Sequence, residues 1–198
     1  DVVTSAETLK AMAAFLEERP ELDGVFGCYS AWGYRDEPPL SRFRNLLHRY
    51  VHQRGRGPIQ SFWSGLGAMR KSSFEVCGGF DEGLQGIEDV ELGKRMSDHG
   101  ARLFLEPAFE GRHLKCWSWR SMIVTDVLVR AKPWAYLALH GKTPRQGLNL
   151  SPANSLGPLL LCAALLCLCV QPNLVASLMS LYFLCNLGRY AYFGRQAS

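Results

Sequence analysis

The sequence predicts an α/β domain followed by a membrane-crossing helical hairpin. Three observations predict it. Short apolar or aromatic runs alternate with segments of helical period through the first half. Basic and aromatic residues crowd together after residue 112. No charged residue occurs from Gln146 to Gly188. Hydrophobic residues make up 47% of the chain and charged residues 20%, which supports a buried core and argues against general disorder. The formal net charge of +4 is too mild to imply nucleic-acid binding, and no nucleic-acid partner is expected.

The elements follow in order. Residues 5–18 keep apolar side chains at helical spacing (Leu9, Met12, Ala13, Phe15, Leu16), with Ser5 as N-cap and Pro20 as the stop. Residues 25–29 are short, apolar and aromatic, which predicts a strand. A polar turn over 35–39 leads into a basic amphipathic helix over 41–53, with Phe43, Leu46, Leu47, Tyr50 and Val51 on one side and Gly55 and Gly57 ending it. This helix could cover a site or approach a membrane. Residues 62–69 read as a strand entering a glycine-bearing loop. One or two helical turns over 72–77 close on Gly78-Gly79. A helix over 90–99 stops at Gly100, and a strand over 102–105 is followed by Pro107.

The second half changes character. Between Arg112 and Arg145 there are seven Lys or Arg residues against one acid, Asp126, with Trp117, Trp119, Trp134 and Tyr136 interleaved. Such a segment suits a membrane interface; an ordinary surface helix is the alternative. The uncharged stretch is long enough for two crossings of roughly 20 residues each, with apolar cores at 159–170 and 174–187 and a turn at Gln171-Pro172-Asn173. Arg145 before the pair and Arg189 and Arg195 after it place both ends on the cytoplasmic side. A buried soluble hairpin is the competing reading. Three pieces are therefore expected: 1–114, 115–145 and 146–198. The seven cysteines form no framework and read as small buried hydrophobes in a reducing compartment.

Candidate chemistry is sparse when read residue by residue. Glu88-Asp89 precedes a helix, where acids also serve as caps. Gly65, Gly67 and Arg70 form a turn that could approach a phosphate or could simply be tight. His113 follows a strand and shows no metal-ligand spacing with the other histidines.

Taken in order, however, Phe62-Trp63-Ser64-Gly65-Leu66-Gly67-Ala68-Met69-Arg70, Gly78-Gly79-Phe80-Asp81-Glu82, Ile87-Glu88-Asp89-Val90-Glu91-Leu92-Gly93 and His113-Leu114-Lys115-Cys116-Trp117-Ser118 resemble the second half of bacterial family 2 glycosyltransferases. The resemblance covers roughly residues 1–140. It implies a partial GT-A (Rossmann-like) glycosyltransferase domain carrying a C-terminal membrane hairpin. Asp89 would be the general base of an inverting hexosyl transfer, and Glu88 would orient the acceptor or the loop. Trp63, Gly65 and Gly67 would line the sugar and acceptor side, and Arg70 and Lys115 would contact the diphosphate. Asp1 matches the last Asp of a strand-ending Asp-x-Asp motif, and with His113 it would hold Mn²⁺ or Mg²⁺.

The implied partners are a nucleotide-sugar donor, a saccharide or lipid-linked acceptor, and the inner membrane, with the catalytic part on the cytoplasmic side. The implied setting is cell-envelope polysaccharide synthesis. The nucleotide-holding half is expected upstream, so this chain alone is expected not to transfer sugar. The processive Gln-x-x-Arg-Trp signature is missing, which favours addition of one sugar over polymer synthesis. The competing classes are a non-catalytic, membrane-associated, transferase-like binding module and a small helical membrane protein with a soluble cap.

Overall fold

The computed structural model describes residues 1–84, 86–141, 143–144, 160, 163–164, 167 and 171–197. The chain forms two compact units, Asp1–Gly147 and Leu148–Ser198. The first is a mixed α/β unit built on a five-stranded sheet.

Strand β1 (Val2–Val3) is followed by helix α1 (Ala6–Glu17), whose N-cap is Ser5 as expected: its Oγ accepts from the Thr8 N–H at 3.1 Å. Strand β2 (Gly24–Tyr29) is central and almost fully buried. Helix α2 (Pro39–Gln53) starts two residues earlier than its apolar pattern, because proline suits the first helical turn. Strand β3 (Gly57–Ile59) was not legible, since Gly57 reads as a helix stop. The expected strand over 62–69 is a short 3₁₀ turn (Ser64–Leu66) and then β4 (Gly67–Met69). Helices α3 (Lys71–Val76) and α4 (Glu88–Asp98) follow. The longest strand, β5 (Leu103–His113), runs through Pro107 instead of stopping before it.

Strand β5 organises the sheet. It pairs in parallel with β2, while β1 and β3 pair antiparallel to its two ends; β4 pairs antiparallel to the far side of β2. The β2–β5 register shifts between Phe26 and Cys28. That irregularity accommodates Pro107, which has no N–H to offer the ladder, so the strand continues to His113. Alternation along β2 separates two environments. Val25 joins an apolar cluster with Met12, Leu16, Leu22, Leu66 and Phe109. Phe26 meets His52 of α2 and Phe62 instead.

The basic-aromatic segment packs into this first unit as one helical run: α5 (Trp119–Ile123), a π-helical stretch (Val124–Ala131) and α6 (Lys132–Leu139). Asp126 ties it to α2 by accepting two bonds from the Arg44 guanidinium, at 2.6 and 2.8 Å. The second unit contains helix α7 (Pro172–Ala197), which includes the second expected apolar core. The first expected core, 159–170, lies almost wholly outside the described residues. Among the described residues no helix is long and apolar enough to cross a membrane. Five cysteines are free thiols there; Cys28 is buried as expected, but Cys116 is exposed.

Candidate active site

Residues from four separate segments converge at Tyr29, the last residue of β2. Its ring stacks flat on His113 at the end of β5, with centroids 4.4 Å apart and an interplanar angle of 7°. It lies 4.1 Å from the His48 ring of α2 and meets Trp63 edge-on at 4.8 Å. Trp63 also touches His48 and His52. Helix α2 therefore covers the site. Its inward stripe is polar: Ser41, Asn45 and His52 are buried, spaced by helical turns, and His48 stands between the last two. The apolar pattern predicts Phe43 on the covered side, yet Phe43 is exposed. The recurrence of Ser41, Asn45, His48 and His52 at three- and four-residue steps was the available signal, and it was hidden by the expectation that buried stripes are apolar.

Asp89 lies in the first turn of α4, not ahead of the helix. One carboxylate oxygen accepts from the Ser64 N–H at 3.0 Å and from the Ser64 hydroxyl at 3.1 Å; the other accepts from the Val90 N–H at 2.8 Å. Burial raises its pKa above the ordinary aspartate range, against the lowering effect of the Ser64 hydrogen bond. Gly93, one turn on, lets α4 approach this closely: a Cβ there would overlap the backbone nitrogen of Phe62. Tyr29 feels the Asp89 charge, and burial pushes its phenol up to about 12. Glu88 points elsewhere, accepting from the Gly86 N–H at 2.6 Å, so it braces the preceding loop.

The remaining expected residues divide. Trp63 is part of the cluster. Gly65 and Gly67 make room for their neighbours: a Cβ at Gly65 would strike the Trp63 ring, and one at Gly67 the Phe62 ring. Arg70 is committed elsewhere. Its guanidinium donates to Leu22 O at 2.8 Å and Leu16 O at 2.7 Å, closing the end of α1 instead of facing a phosphate. Lys115 lies over the Trp117 ring at 4.1 Å, and burial, then Arg130 and Arg44, lower its pKa. Those two arginines also act on His48 and His113. Arg44 and Arg130 were not legible as site residues, because one read as helix surface and the other as membrane interface.

The sheet sets the backbone of Asp1 beside that of Leu114, next to His113, without bringing the two proposed metal side chains together. Val2 faces His113 across the β1–β5 ladder, and Asp1 O accepts from the Leu114 N–H at 2.8 Å. Strict strand alternation would send the Asp1 side chain to the other face, so a shared ion requires the chain to turn at Asp1, where β1 has not begun. Burial, followed by the charge of Lys115, lowers the His113 pKa to about 4, which keeps the ring neutral and able to offer a lone pair. Among the described residues no group of three or more His, Cys, Asp or Glu is gathered as a metal site. Two protein ligands are compatible with an ion that takes its other oxygens from a diphosphate. Comparison with protein-family models, curated proteins and solved structures finds no match.

Proposed function

We propose that the chain carries the acceptor side of an inverting glycosyltransferase acting at the cytoplasmic face of the inner membrane. The reading rests on one observation above the others: Trp63 and His113, distant in sequence, both pack on Tyr29, and Asp89 holds Ser64, the neighbour of Trp63. Asp89 is the general base. It removes the proton of an acceptor hydroxyl while that oxygen attacks the anomeric carbon and the nucleoside diphosphate departs. Its raised pKa strengthens it as a base, and Ser64 fixes the direction of its carboxylate. The flat Trp63 ring offers a stacking surface for a sugar. Asp1 and His113 are the residues that would hold Mn²⁺ or Mg²⁺, and the ion would supply charge neutralisation for the departing diphosphate. Lys115 is the residue expected to meet phosphate, while Arg44 and Arg130, both paired with Asp126, add positive charge near it.

The membrane location rests on the uncharged stretch Gln146 to Gly188 and on the exposed Trp119, Ile123, Val127 and Leu128 of the basic-aromatic segment. A lipid-linked saccharide fits that location, since anchoring raises the local concentration of such acceptors.

Asp89→Asn in the full-length protein tests the reading. Turnover should fall by about 10²–10⁴-fold with nucleotide-sugar binding intact. Retained turnover rejects Asp89 as base. One observation favours a second reading, a binding module without catalysis: all three hydrogen bonds on Asp89 come from its own fold, as in a structural acid. Absence of transfer by the wild-type full-length protein across nucleotide sugars, with saccharide binding retained, would select it.

A further inference from the structure

The ring of His113 is held by a chain of groups that none of the roles above requires. Its Nδ1 lies 2.8 Å from Asn45 Oδ1. The Asn45 Nδ2 in turn donates to Glu37 Oε1, and the other Glu37 oxygen accepts from the Gly33 N–H at 3.1 Å. Asn45 is 1% exposed and His113 8%, so water cannot stand in for the amide. The two ends of an asparagine amide are chemically distinct: nitrogen only donates and oxygen only accepts. An ionised carboxylate only accepts. Glu37 therefore dictates which end of Asn45 faces it, and the oxygen is left for the histidine.

We infer that Glu37 and Asn45 form a positioning relay that fixes His113 as the Nδ1–H tautomer and leaves Nε2 as the bare nitrogen. An acceptor aimed at Nδ1 demands a proton there, and a neutral imidazole carries only one. Nε2 has no hydrogen-bond partner among the described residues. The flat stack on Tyr29 fixes the ring plane as well. A further observation points the same way. A Cβ on Gly33 would overlap the His113 carbonyl and lie 3.0 Å from Asn45 Nδ2 and 3.1 Å from Glu37 Oε1. The loop can close over this chain of bonds because residue 33 has no side chain.

The use of the relay rests on the metal reading above: a bare, oriented Nε2 is what coordination of a divalent ion requires, and an outer hydrogen-bond partner on the other nitrogen is how proteins secure it. Asn45 and Glu37 are positioning residues, acting through His113.

The test is the tautomer itself, read by long-range ¹H–¹⁵N correlation spectra of the full ¹⁵N-labelled chain at neutral pH. Wild type should show a protonated Nδ1 and a bare Nε2. Asn45→Ala should lose this single state and give averaged shifts on both nitrogens. Asn45→Asp keeps an acceptor on Nδ1 and should retain it, a distinction that a merely structural role would not produce. Should Asn45→Ala not fold, Glu37→Ala, in a loop, serves instead: it frees the amide to turn and should bring in the Nε2–H form. A protonated Nε2 in wild type, or an unchanged Nδ1–H in Glu37→Ala and in any folded Asn45→Ala, overturns the relay. Substoichiometric MnCl₂ added to the same samples separates the two claims. Broadening of the His113 signals in wild type, weakened about 10–100-fold in affinity by Asn45→Ala, supports both. The expected wild-type tautomer without broadening leaves the relay standing and overturns the metal reading.

Discussion

The two faces of the sheet are built by different rules. Under α1, Met12, Leu16, Leu22, Val25, Leu66 and Phe109 pack without a titratable group. Under α2, the same strands bury His52, His113 and Asn45, with half-buried His48 among them. The first face removes apolar area from water and gains stability from it. The second buries polar groups, which cost free energy unless they are hydrogen-bonded or kept neutral. A fold accepts that cost where it needs chemistry. The contrast teaches that α1 holds the domain together, while α2 tunes what its neighbours can do.

The largest expected effect is acid lability confined to the α2 face. Burial lowers the pKa of His52 and of His113 to about 4, so the unfolded chain takes up their protons first. Their stabilising contribution is complete above about pH 6.5 and is lost as pH falls through the folded values. At pH 4 the loss should be on the order of 3 kcal/mol for each. Denaturant midpoints from pH 7 to 4 would show it, and His52→Gln should flatten the slope. An unchanged slope would mean that the two faces respond alike.

Next comes Asp89→Asn, with turnover reduced by about 10²–10⁴-fold. Its stability should move the other way. Burial raises the Asp89 pKa, so ionisation costs stability as pH rises through the carboxylate range. A thermal melt of the variant at neutral pH should therefore lie at or above that of wild type.

Met12→Ala on the opposite face should cost about 2–5 kcal/mol, since Met12 is 1% exposed in the apolar cluster. That loss should be the same at pH 7 and pH 5, which chemical denaturation at the two values would check. The smallest effect belongs to Asp126→Asn. Asp126 is 38% exposed beside Arg44, so breaking the pair should cost no more than about 1 kcal/mol. Limited proteolysis should then cut the 119–139 helical run faster while the sheet stays intact.

Much of the fold was legible because local chemistry forces it. Ser5 capped α1 as its hydroxyl predicted, and β2 formed where Val25, Phe26 and Tyr29 cluster. Pro107 misled, because a register irregularity lets β5 pass it. Asp89, Trp63 and His113 were named from sequence, but Tyr29, His48 and Asn45 were not. Each is an ordinary residue of a strand or helix until another segment packs on it.

The sequence by itself determined the α/β alternation, the helix caps, the basic-aromatic segment and the uncharged stretch, all set by contacts within a few residues or by composition. Only the tertiary structure decided which face of α2 turned inward, that Arg70 would close α1, that Trp63 and His113 would pack on Tyr29, and that Asp89 would hold Ser64. Those outcomes depend on strand register and on the missing side chains of Gly93 and Gly33, where backbones approach across long sequence separations, and no local pattern encodes that distance.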